Sequence, residues 1–372
     1  MNILFIEQHP RFVGGSERIG LSLCTQLRRL GHTTHLLYET DGDMVEAFRT
    51  ETASVTRAEV RPLAVRHPAD AVASLVRLRR VLRRHDIDVV FTSQLGYVSL
   101  LAIARLVFGV PTVLHLGLGL SFPSPLFKWA MPRIAATVTP SEPMRRTCTA
   151  LGWPGGRLHV IPNGVDLDRF KVAANRGSLR SELGLPLGVP LVVYVGRLVK
   201  EKGIFTLVRA AALLRDRGLS FHLLMIGAAP GSEGDALSKM AAELGLGAER
   251  FSMRGSTSRP ELLIAAADAA AVPSEWPEPF GLAAIEAMAC GTVPIVSDAG
   301  ILPEIVGKEN ARNVFPQGNA ERLADCVEFV LSDDKARSFM SAAGVARVRE
   351  HYSMVQCGAA YEQVMKGCAR VR

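Results

Sequence analysis

The chain has 372 residues, 48% hydrophobic and 21% charged, with a net charge of +7. This length admits two domains with a core each, and this composition excludes a disordered or collagen-like chain. Six cysteines without a CxxC pair exclude a disulfide scaffold and argue against zinc, and they predict reduced, mostly buried thiols in a cytoplasmic protein. The opening MNILFIEQHP has no basic leader before its apolar run, so it reads as a first strand rather than a signal peptide. EQHPRFVGGSERIG follows, with Gly14 and Gly15 ahead of Ser16 and Glu17 and then a helix. Glycines there let backbone approach a ligand, and helix N–H groups favour phosphate, although Ser16 alone is equally a helix cap.

Strands in the first half are expected at HTTHLLYE, VVFTSQ, PTVLHLG, AATVTPS and LHVIPNG. Between the first two of these, ADAVASLVRLRRVLRRHD places Ala71, Leu75, Leu78 and Leu82 on one helical face, and Arg77, Arg80 and Arg84 on another. Charge is uneven along the chain. Residues 1–170 carry 20 Lys/Arg against 14 Asp/Glu, and the remainder carries 23 against 22. Eight arginines lie between Arg57 and Arg84 against the acids Glu59 and Asp70. Such a helix either docks on a sheet with solvated arginines, or meets anionic lipid or a phosphorylated acceptor. No basic-aromatic interleaving accompanies the arginines, so nucleic acid is not an expected partner. The uncharged stretch from Leu106 to Phe122 is too short and too broken by Pro111 and glycines to span a membrane.

The strand–helix alternation restarts after NGVDLDRF, in the polar stretch KVAANRGSLRSELGLPLGVP. Strands follow at PLVVYVG, FHLLMIG, RFSMRGS, AAAVPS and TVPIVSD. Strand and helix in this order imply two doubly wound α/β domains with parallel sheets, facing each other across a cleft. Residues 1–168 form the first and 169–350 the second, and a C-terminal helix over 351–372 is expected to pack back toward the first. Chemistry is then sought on loops at the carboxyl ends of strands.

Two such loops stand out. In YVGRLVKEKG, Gly196 ends a strand, Arg197 follows, and Lys202-Gly203 opens a helix. Arginine as a fork and lysine as a point charge there suit a diphosphate, the plainer alternative being a surface turn paired with Glu201. In SEWPEPFGLAAIEAMACG the prolines at 277 and 279 delay the helix until about Gly281. Glu278 then lies outside it and Glu286 in its second turn, with the N–H groups of Phe280, Gly281 and Leu282 free to meet an anion. Two carboxylates about 10 Å apart around those N–H groups suit a nucleotide sugar, one on sugar hydroxyls and the other on ribose. Three Asp-x-Asp triplets, at 41–43, 86–88 and 166–168, raise the rival of a bound divalent ion. With Arg197 and Lys202 at hand, no metal is expected.

These segments resemble the donor-binding half of retaining GT-B glycosyltransferases of family 4, and GGSE and IPNGVD resemble the same family across almost the whole chain. The resemblance implies that Glu278 contacts the transferred sugar, Glu286 the ribose, and Arg197 and Lys202 the diphosphate. It further implies that Gly15 brings backbone donors to the phosphates and that His115, in VLHLGLGL, is the active-site histidine. One departure is SDAGILPEIV, with Ile301-Leu302 where the family often shows another glycine before Pro-Glu. The expected function is metal-independent hexosyl transfer, with retention, from a nucleoside diphosphate sugar to a glycan or lipid-linked acceptor hydroxyl. No other cofactor is expected, and the basic first domain predicts peripheral contact with an anionic cytoplasmic membrane. The alternatives are a nucleotide-sugar epimerase of the same fold and a non-catalytic nucleotide-sugar binding subunit.

Overall fold

The computed structural model describes residues 1–11, 15–61, 68–117, 125–229 and 231–369. The chain divides into two compact units, Met1–Gly164 with Met354–Arg372, and Val165–Ser353.

The first unit is built on a parallel sheet of β1 (Asn2–Glu7), β2 (Thr33–Tyr38), β3 (Ser54–Arg57), β4 (Val89–Thr92), β5 (Thr112–His115), β6 (Ala136–Thr139) and β7 (Leu158–Val160). Their spatial order is β3-β2-β1-β4-β5-β6-β7. The connecting helices are α1 (Gly15–Arg29), α2 (Val45–Glu51), α3 (Pro68–Arg84), α4 (Val98–Phe108), α5 (Pro125–Ala130) and α6 (Glu142–Ala150). The central strands are apolar on both faces because helices cover both, and Ile3, Leu4, Phe5 and Ile6 of β1 are all buried.

The second unit repeats the plan with β8 (Leu191–Val195), β9 (His222–Ile226), β10 (Phe251–Arg254), β11 (Ala269–Val272), β12 (Val293–Ser297) and β13 (Val314–Phe315), in the order β10-β9-β8-β11-β12-β13. Its helices are α7 (Arg176–Glu182), α8 (Ile204–Asp216), α9 (Glu233–Glu243), α10 (Pro260–Ala265), α11 (Leu282–Ala289), α12 (Leu302–Val306), α13 (Ala320–Ser332) and α14 (Asp334–His351). A last helix, α15 (Met354–Cys368), belongs to the first unit. There it buries Met354, Cys357, Tyr361 and Met365 with Leu23, Cys24 and Leu27 of α1, and His32 meets Glu362 at 2.7 Å.

Each sheet has one point where strand order reverses, between β1 and β4 and between β8 and β11. Connections leave in opposite directions there, which opens a crevice at the carboxyl ends of the strands.

Three particulars differ from the sequence expectation. β3 and β13 were not anticipated; both are edge strands, one polar and one of two residues, so neither carries the apolar run of a central strand. The first unit ends at Gly164, ahead of the boundary expected at 168, because Val165 donates its N–H to Tyr352 O at 2.8 Å and bridges Ser353 within the second unit. On α3, Leu78 and Leu82 are buried and Leu75 half-buried, but Val72 and Val76 stand 61% and 53% exposed beside exposed Arg77, Arg79, Arg80, Arg83 and Arg84. The cysteines are all unbridged, and burial pushes the Cys24, Cys290 and Cys357 thiols up to about 12. Among the described residues, no helix is long and apolar enough to cross a membrane.

Candidate functional site

A polar cluster of the second unit lies at its strand-order reversal. β8 delivers Gly196 and Arg197, and a short turn over Lys200–Lys202 leads through Gly203 into α8. Gly203 has φ +69°, and a Cβ there would fall 1.7 Å from the carbonyl oxygen of Pro273, just past β11. Only glycine lets the two loops approach this closely. Glu275 N–H donates to Glu201 O at 2.8 Å and closes the same contact.

The juxtaposition brings Lys202 Nζ to within 2.6 Å of Glu278 Oε2. Ser274 Oγ and Trp276 Nε1 donate to the same oxygen at 2.9 and 3.0 Å, and Lys202 lies 5.0 Å from the centre of the Trp276 ring. Three donors therefore hold Oε2, while no described group donates to Oε1. The Glu278 side chain is 11% exposed. A carboxylate pinned by one oxygen and open at the other is a rigid acceptor for a ligand hydroxyl. Lys202 finds its counter-ion in Glu278 and not in Glu201, and its ammonium retains further N–H donors. Arg197 is exposed, and no described carboxylate pairs with it. Its carbonyl accepts from the Tyr194 hydroxyl at 2.7 Å, which fixes the backbone beneath the guanidinium.

The expected late start of α11 has a physical cause. Gly281 caps it in the left-handed region at φ 94°, and Leu282 is the first helical residue. The Leu302 side chain takes the space where a Gly281 Cβ would sit, 2.5 Å away. Gly300 packs against Glu278 so tightly that a Cβ would lie 2.3 Å from its carbonyl oxygen, and that carbonyl accepts from Ile301 N–H at 3.3 Å. Ile301-Leu302 thus shapes the start of α11 and the backbone of Glu278 together. Phe280 turns its ring inward, edge-on to Tyr352 at 5.8 Å. Glu286 is buried on α11, with Leu282 half-buried ahead of it.

In the first unit, Gly15 is exposed at the first residue of α1, while Gly14 lies outside the described residues. His115 ends β5 and is fully buried. Its Nδ1 meets the Tyr361 hydroxyl at 2.7 Å, Nε2 has no hydrogen-bond partner, and burial lowers its pKa to about 4. The residues that follow it from 118 lie outside the described set.

Residues 13–169 match glycosyltransferase family 4, and residues 175–347 match glycosyl transferases group 1. A GDP-mannose-dependent alpha-(1-6)-phosphatidylinositol monomannoside mannosyltransferase of Mycobacterium tuberculosis is 31% identical over 304 residues, covering 75% of this chain and 77% of that protein. The chain belongs to the group 1 glycosyltransferases. A D-inositol 3-phosphate glycosyltransferase of Nocardia farcinica is 38% identical over 215 residues, 55% of this chain and 47% of that protein. The match to that and similar relatives thus spans about half their length. Anabaena HepE in complex with UDP and glucose has the same GT-B fold, with a TM-score of 0.83 at 22% identity over 98% of this chain and 99% of that one.

For this group 1 glycosyltransferase, motif reading passed over Ser274 and Trp276. Both stand in SEWPEP next to Glu278, and the signal was an indole and a hydroxyl, each able to donate, within four residues of a carboxylate. The Asp-x-Asp triplets go into structural contacts. Asp41 accepts from the Tyr38 hydroxyl at 3.0 Å and pairs with Arg57 at 2.8 Å; Asp88 accepts from Asn2 N–H at 2.7 Å, and Asp166 from Asp168 N–H at 2.9 Å.

Proposed function

We propose that the protein transfers a hexosyl group, with retention, from a nucleoside diphosphate sugar to an acceptor hydroxyl without a metal ion. The observation that carries this reading is Glu278, clamped through Oε2 by Lys202, Ser274 and Trp276 with Oε1 open at the β8/β11 reversal. Glu278 Oε1 accepts from a sugar hydroxyl. Arg197, the remaining donors of Lys202 and the N-terminus of α11 hold the diphosphate, and Glu286 serves the ribose. In the transfer, the bond from the anomeric carbon to the diphosphate oxygen breaks and the electron pair leaves with that oxygen. The acceptor oxygen bonds to the same carbon from the same face, and its proton passes to the departing phosphate. Arg197 and Lys202 stabilise the charge that grows on the leaving group. No described side chain is a convincing nucleophile for the opposite face, which supports the same-face route.

The names of two relatives share an inositol ring, and one of them is a phospholipid. An inositol-type or other glycan acceptor, free or lipid-linked, is the reading they support. The Val72/Val76 and arginine surface of α3 supports peripheral binding to anionic lipid.

The test is turnover of UDP-glucose and GDP-mannose with and without acceptor, for the wild type and Glu278→Ala. Donor binding should raise the melting temperature, by the equivalent of about 2.7 kcal/mol at 100 times Kd. The variant should remain folded and lose at least roughly a hundredfold in transfer. Unchanged turnover in the variant would sink the assignment, and sugar conversion without acceptor would indicate epimerisation instead.

A further inference from the structure

Glu275 lies three residues ahead of Glu278, in a segment that is held to its surroundings at several points. Ser297 Oγ donates to Ser274 O at 2.6 Å, and the missing Cβ of Gly203 admits Pro273. Glu275 adds two contacts of its own, both to the stretch that carries Lys202. Its N–H donates to Glu201 O at 2.8 Å, and its Oε1 accepts from Thr206 Oγ1 at 2.5 Å. Thr206 stands in the first turn of α8, just past Gly203. One residue of the opposite loop therefore holds the Lys202 turn on both sides, at 201 and at 206.

The side-chain contact is chemically specific. Thr206 is fully buried, and a hydroxyl has one proton to give. Arg209 Nη2 donates to Thr206 Oγ1 at 3.1 Å, which leaves that proton for Glu275. A hydroxyl donating to a carboxylate makes a charge-assisted bond, roughly twice as strong as a neutral one. The carboxylate also meets α8 at its positive end, where the N-cap Gly203 offers no side chain. Lys200 and Lys202 stand at the same end, where cations are unfavourable, and an acid on the first turn offsets them.

Without the Glu275 side chain, the backbone bond to Glu201 and the close approach at Gly203 remain, so the fold is kept. What is lost is the fix on Lys202 from the side of α8. Lys202, Ser274 and Trp276 all share Glu278 Oε2, and three donors on one oxygen tolerate little displacement. A shift of about 1 Å in such a constellation can cost about a hundredfold in rate.

We propose that Glu275 is a positioning residue for sugar transfer, acting through Thr206 to keep Lys202 in register with Trp276 and Glu278. This deepens the transferase reading and rests on it for the roles of Lys202 and Glu278. Lys202 acts on charge that develops as the diphosphate leaves, so the effect falls on kcat more than on donor KM.

The test compares wild type, Glu275→Ala, Glu275→Gln and Thr206→Val in turnover of UDP-glucose and GDP-mannose, and in the indole N–H signals of proton–nitrogen NMR spectra. The chain has three tryptophans, of which Trp276 donates to Glu278 while Trp129 and Trp153 lie in the first unit as internal controls. Thr206→Val, far from Trp276 in the chain, should shift the Trp276 signal and leave the other two in place. It should lower kcat roughly tenfold or more with donor KM within about threefold. Glu275→Ala should lose as much, and the double variant no more than the worse single one, because both remove the same bond. Glu275→Gln keeps an acceptor for Thr206 and should stay within about threefold of wild type.

An unmoved Trp276 signal in Thr206→Val, wild-type kcat in Glu275→Ala, or losses that multiply in the double variant would each overturn the proposal. Should Glu275→Ala not fold, Thr206→Val decides by the same two readouts. Glu278→Ala in the same assay separates the two levels. Full turnover there sinks the transferase roles, whereas loss there with full turnover in Glu275→Ala sinks the positioning alone. With a wild type that turns over neither donor, the indole signal of Thr206→Val decides.

Discussion

At the residue scale, the two buried titratable groups at the carboxyl edge of the first sheet bend stability in opposite directions with pH. His115 is lowered from 6.5 to about 4, so as pH falls below 6.5 the unfolded chain takes the proton first and stability is lost down to about 4. Glu7 is raised from 4.5 to about 8, so the unfolded chain loses its proton first and stability falls as pH rises from about 4.5 to 8. Melting temperature against pH should therefore show His115→Gln flattening the acid limb and Glu7→Gln the alkaline limb. Variants that keep the wild-type shape on both limbs would contradict these assignments. His115 was visible in the sequence through its motif. Glu7 was not, because FIEQ reads as a strand ending in a solvated acid, and only packing under α1 takes the carboxyl out of water.

At the element scale, the central strands and most helices were legible from apolar runs and their period, whereas the edge strands β3 and β13 were not. A buried strand must be apolar on both faces, but an edge strand answers to one neighbour and to solvent. For α3 the sequence showed the docked face, and the structure adds that Val72 and Val76 stand out among the arginines. Burying a valine in a lipid surface contributes about 1.5–3 kcal/mol, and each arginine about 1 kcal/mol on an anionic bilayer. Wild-type protein should co-sediment with phosphatidylglycerol vesicles and not with phosphatidylcholine alone. The Val72→Asp/Val76→Asp double variant should lose roughly tenfold or more of that affinity while keeping its fold. Binding that ignores lipid charge would remove the membrane from the proposal.

At the scale of the whole molecule, the last helix completes the first unit from the far end of the sequence. Tyr361 is buried between Phe91 and His115, so Tyr361→Ala should cost about 3–5 kcal/mol and leave both His115 nitrogens without partners. Hydrogen exchange should then accelerate in β1, β4 and β5 and leave β8, β11 and β12 protected. Equal loss of protection in both units would mean that α15 does not act through the first core.

The sequence by itself determined the two doubly wound domains, the family, and the loops carrying Arg197, Lys202, Glu278 and His115. Each depends on local periodicity or on residues close together in the chain. Tertiary structure decided which groups meet. It set Lys202 on Glu278 through the close approach at Gly203, and drew Ser274 and Trp276 onto the same carboxylate oxygen. It also aligned Glu7, Ser93 and His115 by parallel register across strands whose extremes lie more than a hundred residues apart in sequence. Sequence spacing cannot reveal such contacts, because register and burial arise only when the sheet assembles.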